Sequence, residues 1–274
     1  MLMKPYGLAT ETCAPDKVPV PLFDEHGRCM PSGLTATAHA RTRRYFICTQ
    51  PEIDYGAIHA RIKTHLGIAD ALTAAEFETR AEAIMQHLRN DPATAEMTRG
   101  VAVPFFLPQA SYPDYGAALE HTYLEAVKNA FADKLPQYDF VNHHRDGLAG
   151  KLDIVRGSRH DKLVEAMRHQ SVVGVFFPCL SEYSVPAAIE QTGKLPAQFM
   201  LAGGFDTCAA LIGSPDLLLR TDGYPPLLWL AALAAEKEAT GYHFEAYGYN
   251  LTFNRRPHFG QAAEYWASGL VVLD

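Results

Sequence analysis

Apolar residues recur along this chain with two different periods, and the alternation between them lays out the elements. Ile58, Ile62 and Leu66 stand four apart, the spacing of one buried helical face. A second helix opens at Thr73-Ala74-Ala75-Glu76, where threonine and glutamate side chains satisfy each other's backbone amides. Its apolar face is Phe77, Ala81, Ile84 and Leu88, and Asn90-Asp91-Pro92 ends it. A long helix over 115–135 carries the stripe Tyr115, Leu119, Tyr123, Ala126 and Ala130. Ser158 is the expected cap of a helix with Leu163 and Met167, Ser184 that of a helix ending at Gly193, and a short helix follows Asp206 and stops at Gly213. Between them lie short apolar, strand-like runs at 44–49, 100–107, 138–142, 171–177, 198–202 and 216–220. The segment 227–240 reads as helical with Gly241 just past its end, and 242–253 and 269–273 are β-prone.

Helices alternating with apolar runs, each bounded by turn residues, predict parallel strands joined by helical crossovers. The expected fold class is therefore α/β: a three-layer αβα sandwich with a mostly parallel sheet, a small helical segment and an extended N-terminal arm. The expected boundaries are an arm over 1–40, rich in proline (Pro5, Pro15, Pro19, Pro21, Pro31), a helical segment or lid over 41–95, and an α/β core over 96–274.

Composition narrows the setting. An apolar fraction of 48% with 20% charged residues belongs to a folded chain. The net charge is −7, from 24 basic and 31 acidic residues, and the densest basic cluster is Arg41, Arg43 and Arg44. Nucleic acid is not an expected partner, because a phosphate backbone needs many cations on one face. Cys13, Cys29, Cys48, Cys179 and Cys208 are odd in number and show no C-x-x-C pair, which reads as free thiols in a reducing compartment. No signal-like apolar stretch follows the first residues, and the longest apolar runs, 172–180 and 227–235, are about half a bilayer span. Cytoplasmic residence without membrane association is the expectation.

In open α/β sheets ligands sit at strand-to-helix turns. The turn Ala202-Gly203-Gly204-Phe205-Asp206-Thr207 joins a predicted strand to a helix, and paired glycines let backbone amides approach an anion. Gly203, Gly204, Asp206 and Thr207 are thus candidate ligand-binding residues, with Asp206 placed to reach a cation. An ordinary Gly-Gly turn with Asp206 or Thr207 as helix cap accounts for the same residues. The hexapeptide resembles the S-G-G-x-D-S/T pyrophosphate loop of the ATP-pyrophosphatase families, such as argininosuccinate and asparagine synthetases, with Ala202 where the motif has serine. That resemblance implies an anionic group held at the turn. The stretch 172–235 is also similar to the last βαβ segment of type I periplasmic-binding and repressor-type sugar-binding domains, which implies a ligand cleft beside Gly204-Phe205-Asp206.

Two further candidates carry reactive groups. Cys179 follows a strand and precedes a helix start, a place where a thiol becomes a nucleophile if a histidine reaches it; His143, His144, His160 and His169 are nearest in sequence. Inert packing is the competing reading for a cysteine. His143-His144-Arg145-Asp146 offers imidazole and carboxylate at a strand end, with His160-Asp161 further on; no spacing there marks a metal site. The aromatic tail, Tyr242 to Phe253 and Trp266, reads as sheet packing or a subunit contact. Phosphate-loop, dinucleotide-turn, zinc-protease and serine-elbow motifs are absent, and no cofactor is indicated. The sequence thus points to a protein that binds a small anionic ligand, phosphate or carboxylate, at the Gly203-Gly204 turn. As an enzyme it would use Asp206 with Cys179 or His144. The alternatives are a non-catalytic sensing module and a subunit-interaction protein, a homo-oligomer included.

Overall fold

The computed structural model describes residues 21–69 and 72–274. Pro5, Pro15, Pro19 and Cys13 lie outside the described residues. Several helices form for the reasons their sequences give. Helix α1 (Tyr55–His65) is capped by the Asp54 carboxylate, which accepts from Ala57 N, and it buries Ile58 and Ile62. Helix α2 (Ala74–Asn90) has the Thr73–Glu76 capping box and buries Phe77, Ala81, Ile84 and Leu88. The long helix runs as α3 (Tyr115–Ala118), a π turn over Leu119–Leu124, and α4 (Glu125–Lys134). Then come α5 (Asp161–His169), α6 (Val185–Lys194), capped by Ser184, and α7 (Gly204–Gly213). Ser158 is not the cap of α5: His160 occupies that position, and Ser158 Oγ donates to Val155 O instead.

The sheet overturns the expected parallel sandwich. Strands β1 (Val103–Leu107), β2 (Phe140–Asn142), β4 (Val172–Ser181), β5 (Met200–Leu201), β6 (Leu227–Trp229), β8 (Thr240–Tyr247), β9 (Asn250–Pro257) and β10 (Trp266–Leu273) form one eight-stranded sheet. Its order is β1-β4-β10-β6-β8-β9-β2, with β5 also pairing β10. Only β10–β6 and β9–β2 pair in parallel; the other pairings are antiparallel. A two-stranded ribbon of β3 (Leu152–Ile154) and β7 (Leu233–Ala235) stands apart.

Two misread segments account for part of the difference; β1, β4, β5 and β10 lie in runs read as strands, and their pairings β1–β4, β4–β10 and β5–β10 are antiparallel as well. The stretch 227–240 is not a helix but β6, β7 and the start of β8. Leu227 through Leu233 are all buried, so the run has no polar face by which an amphipathic helix would be recognised. Leu228 and Trp229 pair with Phe244 and His243, and this pairing overrides the helix preference of a leucine- and alanine-rich run. The stretch 242–253 is not one strand but the β8–β9 hairpin, which turns at Gly248 with φ +63°. Hairpins and direct returns replace the helical crossovers that a parallel sheet needs. Residues 216–220 form turns rather than an extended run.

The two faces of the sheet carry separate apolar clusters. On one, α7 is buried along its whole length against β1, β4, α1 and α4, and Ile58, Phe77, Phe106, Phe205 and Val271 share a core. On the other, Phe23, Cys29, Phe177, Cys179, Tyr183, Trp229 and Trp266 pack together with α6. Residues 21–40 lie over this second face, tied by Cys29 N to Cys179 O and Ser184 N to Thr37 O, each 2.9 Å. No helix among the described residues is long and apolar enough to cross a membrane.

Candidate functional site

One cleft arises from a mismatch of strand lengths. Strand β4 runs ten residues and β1 five, and their pairing ends at Val103↔Phe176. Upstream of β1 the chain turns away into a 3-10 helix, Ala95–Arg99, instead of continuing along β4. The stretch from Pro178 to Ser181 therefore lacks a strand neighbour on that side. Pro178, with no N–H to donate, sits where the β4–β10 register shifts opposite Gly269.

The carbonyls left on this edge need donors, because a buried unpaired backbone group costs about as much as a lost hydrogen bond. The N-terminal segment supplies them: Cys29 N donates to Cys179 O at 2.9 Å, and Arg28 Nε to Ser181 O at 3.1 Å. Arg28 also donates to His39 O (2.5 Å) and Ala40 O (3.4 Å). Its guanidinium stands 5.5 Å from the Tyr183 ring centroid, and the residue is 5% exposed. A guanidinium has five N–H donors, so these three bonds leave two uncommitted. Among the described residues no carboxylate lies within 4 Å of it.

Arg28 lines a cleft of about 420 Å³ between residues 25–28, 42–50, 98–101 and 178–181. Arg44, Arg99 and His26 share the lining with a single acid, Glu25, and Thr42, Gln50, Thr98 and Ser181 add hydrogen-bonding groups. Arg99 pairs with Glu96, and His26 with Glu25, both at the exposed rim. The wall formed by 39–43 is fixed from below by Glu182. That residue has φ +62°, a strained value for a non-glycine, and is 2% exposed. Its carboxylate accepts from His39 Nδ1 at 2.5 Å, from Arg43 N at 3.0 Å and from Thr42 Oγ1. Burial by itself would push this carboxyl upward; the bonds from Thr42, His39 and Arg43 outweigh it and hold the group below its ordinary range.

Of the sequence candidates, Cys179 lines this cleft and the others do not. Burial holds its thiol well above the ordinary value, and Cys48, also in the lining, is pushed up to about 12 by the same cause. Among the described residues no histidine bonds to Cys179. His144 Nε2 instead contacts Gly147 O, and its ring packs edge-on against Tyr242. His169 pairs with Glu165, and His143 N donates to Phe253 O. Cys179 belongs to one sheet face, while Asp206 and the partner ring of His144 belong to the other. The three proposed catalytic residues do not meet.

The Gly203-Gly204 turn is filled by protein. The amides of Gly204 and Phe205 donate to Tyr115 Oη, at 2.9 and 3.3 Å. Tyr115 Oη also shares a hydrogen bond with His160 Nε2 at 2.9 Å, and His160 Nδ1 stands 3.9 Å from Asp206 Oδ2. Asp206 accepts from Gly203 N, while Thr207 Oγ1 is buried without a partner. A Cβ on Gly203 would meet the His160 ring at 2.4 Å, and one on Gly204 the Leu119 side chain at 2.9 Å. Both glycines thus serve close packing, and the amides that an anion would need are occupied. Burial depresses the His160 pKa and raises that of Asp206, and the attraction between the two groups opposes both shifts. Among the described residues no three His, Cys, Asp or Glu side chains converge as metal ligands would.

Sequence reasoning missed Arg28, Arg44, Thr42 and Glu182. The available signal was Arg44 at the end of the basic cluster, next to Tyr45-Phe46. No protein-family model, curated protein or solved structure matches the chain.

Two outcomes follow. Glu182→Ala removes the acceptor that anchors 39–43, and trypsin then cuts after Arg41, Arg43 or Arg44 about tenfold or more faster than in the wild type. Burial depresses the pKa of His160, His243 and His258, so below about 6.5 the unfolded chain takes up protons that the folded chain refuses. Stability therefore falls as pH drops below that value. Glu182, its own pKa lowered, adds to the loss at more acid pH, and Asp206, its pKa raised, offsets part of it. A thermal midpoint that stays level from about pH 7 down to about pH 5 contradicts the neutral buried imidazoles.

Proposed function

We propose that this protein binds a small anionic molecule, phosphate- or carboxylate-bearing, in the cleft floored by Arg28. The observation that carries this reading is an arginine 5% exposed whose guanidinium has, among the described residues, no carboxylate within 4 Å and two donors to spare, in the lining of a roughly 420 Å³ space. Taking an unpaired charge out of water costs several kcal/mol, and an anion in the cleft offsets that cost. Arginine suits the task because its planar fork matches carboxylate and phosphate oxygens two at a time. Arg44 and Arg99 extend the same sign of charge to the rim, and Thr42 and Gln50 offer neutral hydrogen bonds.

Binding without turnover is the better-supported form of this reading. The thiols of Cys179 and Cys48 are held protonated by burial, no base among the described residues hydrogen-bonds to them, and the buried Tyr115–His160–Asp206 network lies on the other face of the sheet.

The test is thermal unfolding of the wild type, Arg28→Lys and the rim variant Arg44→Gln/Arg99→Gln in phosphate, sulfate, malonate and citrate at constant ionic strength. A ligand at about a hundred times its Kd adds roughly 2.7 kcal/mol, or about 5–10 °C for a chain of this size. At least one anion raises the wild-type midpoint by that order, and both variants lose most of the rise. Equal rises in all three proteins, or none in the wild type, refute the assignment. The rim variant changes exposed residues only, so it answers even if the Arg28 variant folds poorly.

A further inference from the structure

The cleft has a neighbour. On the far side of the segment 44–47 lies an open groove of about 800 Å³, lined by Tyr45, Phe46, Tyr224, Tyr249 and Tyr265 together with Arg220 and Glu245. The two spaces are separated by the segment 44–48 and the residues 224–226 bridged to it. Phe46 bridges Tyr224 in parallel, and Ile47 N donates to Tyr224 O at 3.3 Å. Ile47, Cys48 and Pro226 face the cleft, whereas Tyr45, Phe46 and Pro225 face the groove. Arg44, where this wall begins, lines both.

Three features of the groove bear on what fills it. Its rings form one continuous surface: Tyr45 and Tyr224 have centroids 5.7 Å apart with planes 31° apart, and Phe46 contacts both at 5.0 and 6.0 Å. Yet Tyr45 is 58% and Tyr224 57% exposed, a contiguous apolar surface of the kind that marks a binding site. Of the other charges of the groove, Arg220 pairs with Asp222 at 2.9 Å, and Glu245 stands 3.7 Å from the imidazole of His243, whose pKa burial lowers. Arg44 is different: among the described residues its guanidinium has no ion pair and no hydrogen bond, and the residue is held at φ +55°, which a side chain adopts only under constraint. The ring surface thus lies beside a guanidinium that, among the described residues, no carboxylate within 4 Å neutralises.

We infer that the ligand is bipartite, an organic anion whose phosphate or carboxylate sits at Arg28 and whose planar ring crosses the wall at Arg44 and stacks on Tyr45 and Tyr224. Flat π-systems stack on aromatic side chains whatever their substituents, and the phosphate or carboxylate gives the ring its direction. The class is ring-bearing monophosphates or carboxylates, either simple aryl esters or nucleoside monophosphates. This inference rests on the anion reading of the cleft.

Calorimetric titration with inorganic phosphate, ribose 5-phosphate, phenyl phosphate and adenosine monophosphate separates the possibilities. Either ring-bearing probe binds about tenfold or more tighter than both inorganic phosphate and ribose 5-phosphate. Tyr45→Ala/Tyr224→Ala abolishes that advantage and leaves the affinity for inorganic phosphate unchanged. An advantage for phenyl phosphate alone points to an aryl ester, and one for adenosine monophosphate alone to a nucleotide; each supports the inference. If all four bind equally, or if the advantage survives the double substitution, the inference is overturned while the anion site stands. If inorganic phosphate, ribose 5-phosphate and both ring-bearing probes fail to bind, both fall together.

Discussion

The structure turns on one unmet hydrogen-bonding requirement: β4 is longer than the strand beside it. Beyond Phe176 the carbonyls of Cys179 and Ser181 have no strand to pair with on the β1 side. The chain answers with residues from its N-terminal stretch, one backbone amide and one arginine side chain. Using a side chain instead of a second strand has two effects. It leaves an open space where the strand would have run, and it brings a permanent positive charge to the floor of that space. The segment 21–40 is fixed to the sheet by the same bonds, and Glu182, the next residue along, fixes the wall over 39–43 from its strained backbone position.

A second polar centre is built on the opposite principle. Tyr115, His160 and Asp206 satisfy the first amides of α7 and leave no room beside them. It joins the long helix to the most buried helix of the protein, so its role is packing and orientation. The contrast is instructive, since the closed centre is the one with the ligand-like sequence, and the open one has no motif at all.

Local signals were legible and long-range ones were not. The Thr73–Glu76 box, the Ser184 cap and the stripe of α2 follow from neighbouring residues and are found where their spacing puts them, and the strand expected at 171–177 is found but runs on to Ser181. Sheet direction depends on partners far away. The all-apolar run Leu227–Leu233 has no periodicity to separate strand from helix, and its partners in β8 and β10 decide the matter. The Gly203-Gly204 turn was found in sequence but not its contents, because Tyr115 and His160 arrive from 89 and 45 residues off in their respective bonds. Arg28 lay in a proline-rich stretch read as an arm, and its bond to Ser181 spans 153 residues. No local pattern records such a contact.

The central claim, an anion seated on Arg28, is tested most directly by diffraction from crystals soaked in selenate at low ionic strength, with data collected at the selenium edge. The account predicts an anomalous peak within hydrogen-bonding distance of the Arg28 guanidinium, inside the cleft, that fades when excess phosphate is added. Peaks only at surface lysines and arginines, with the space over Arg28 holding water alone, would contradict it.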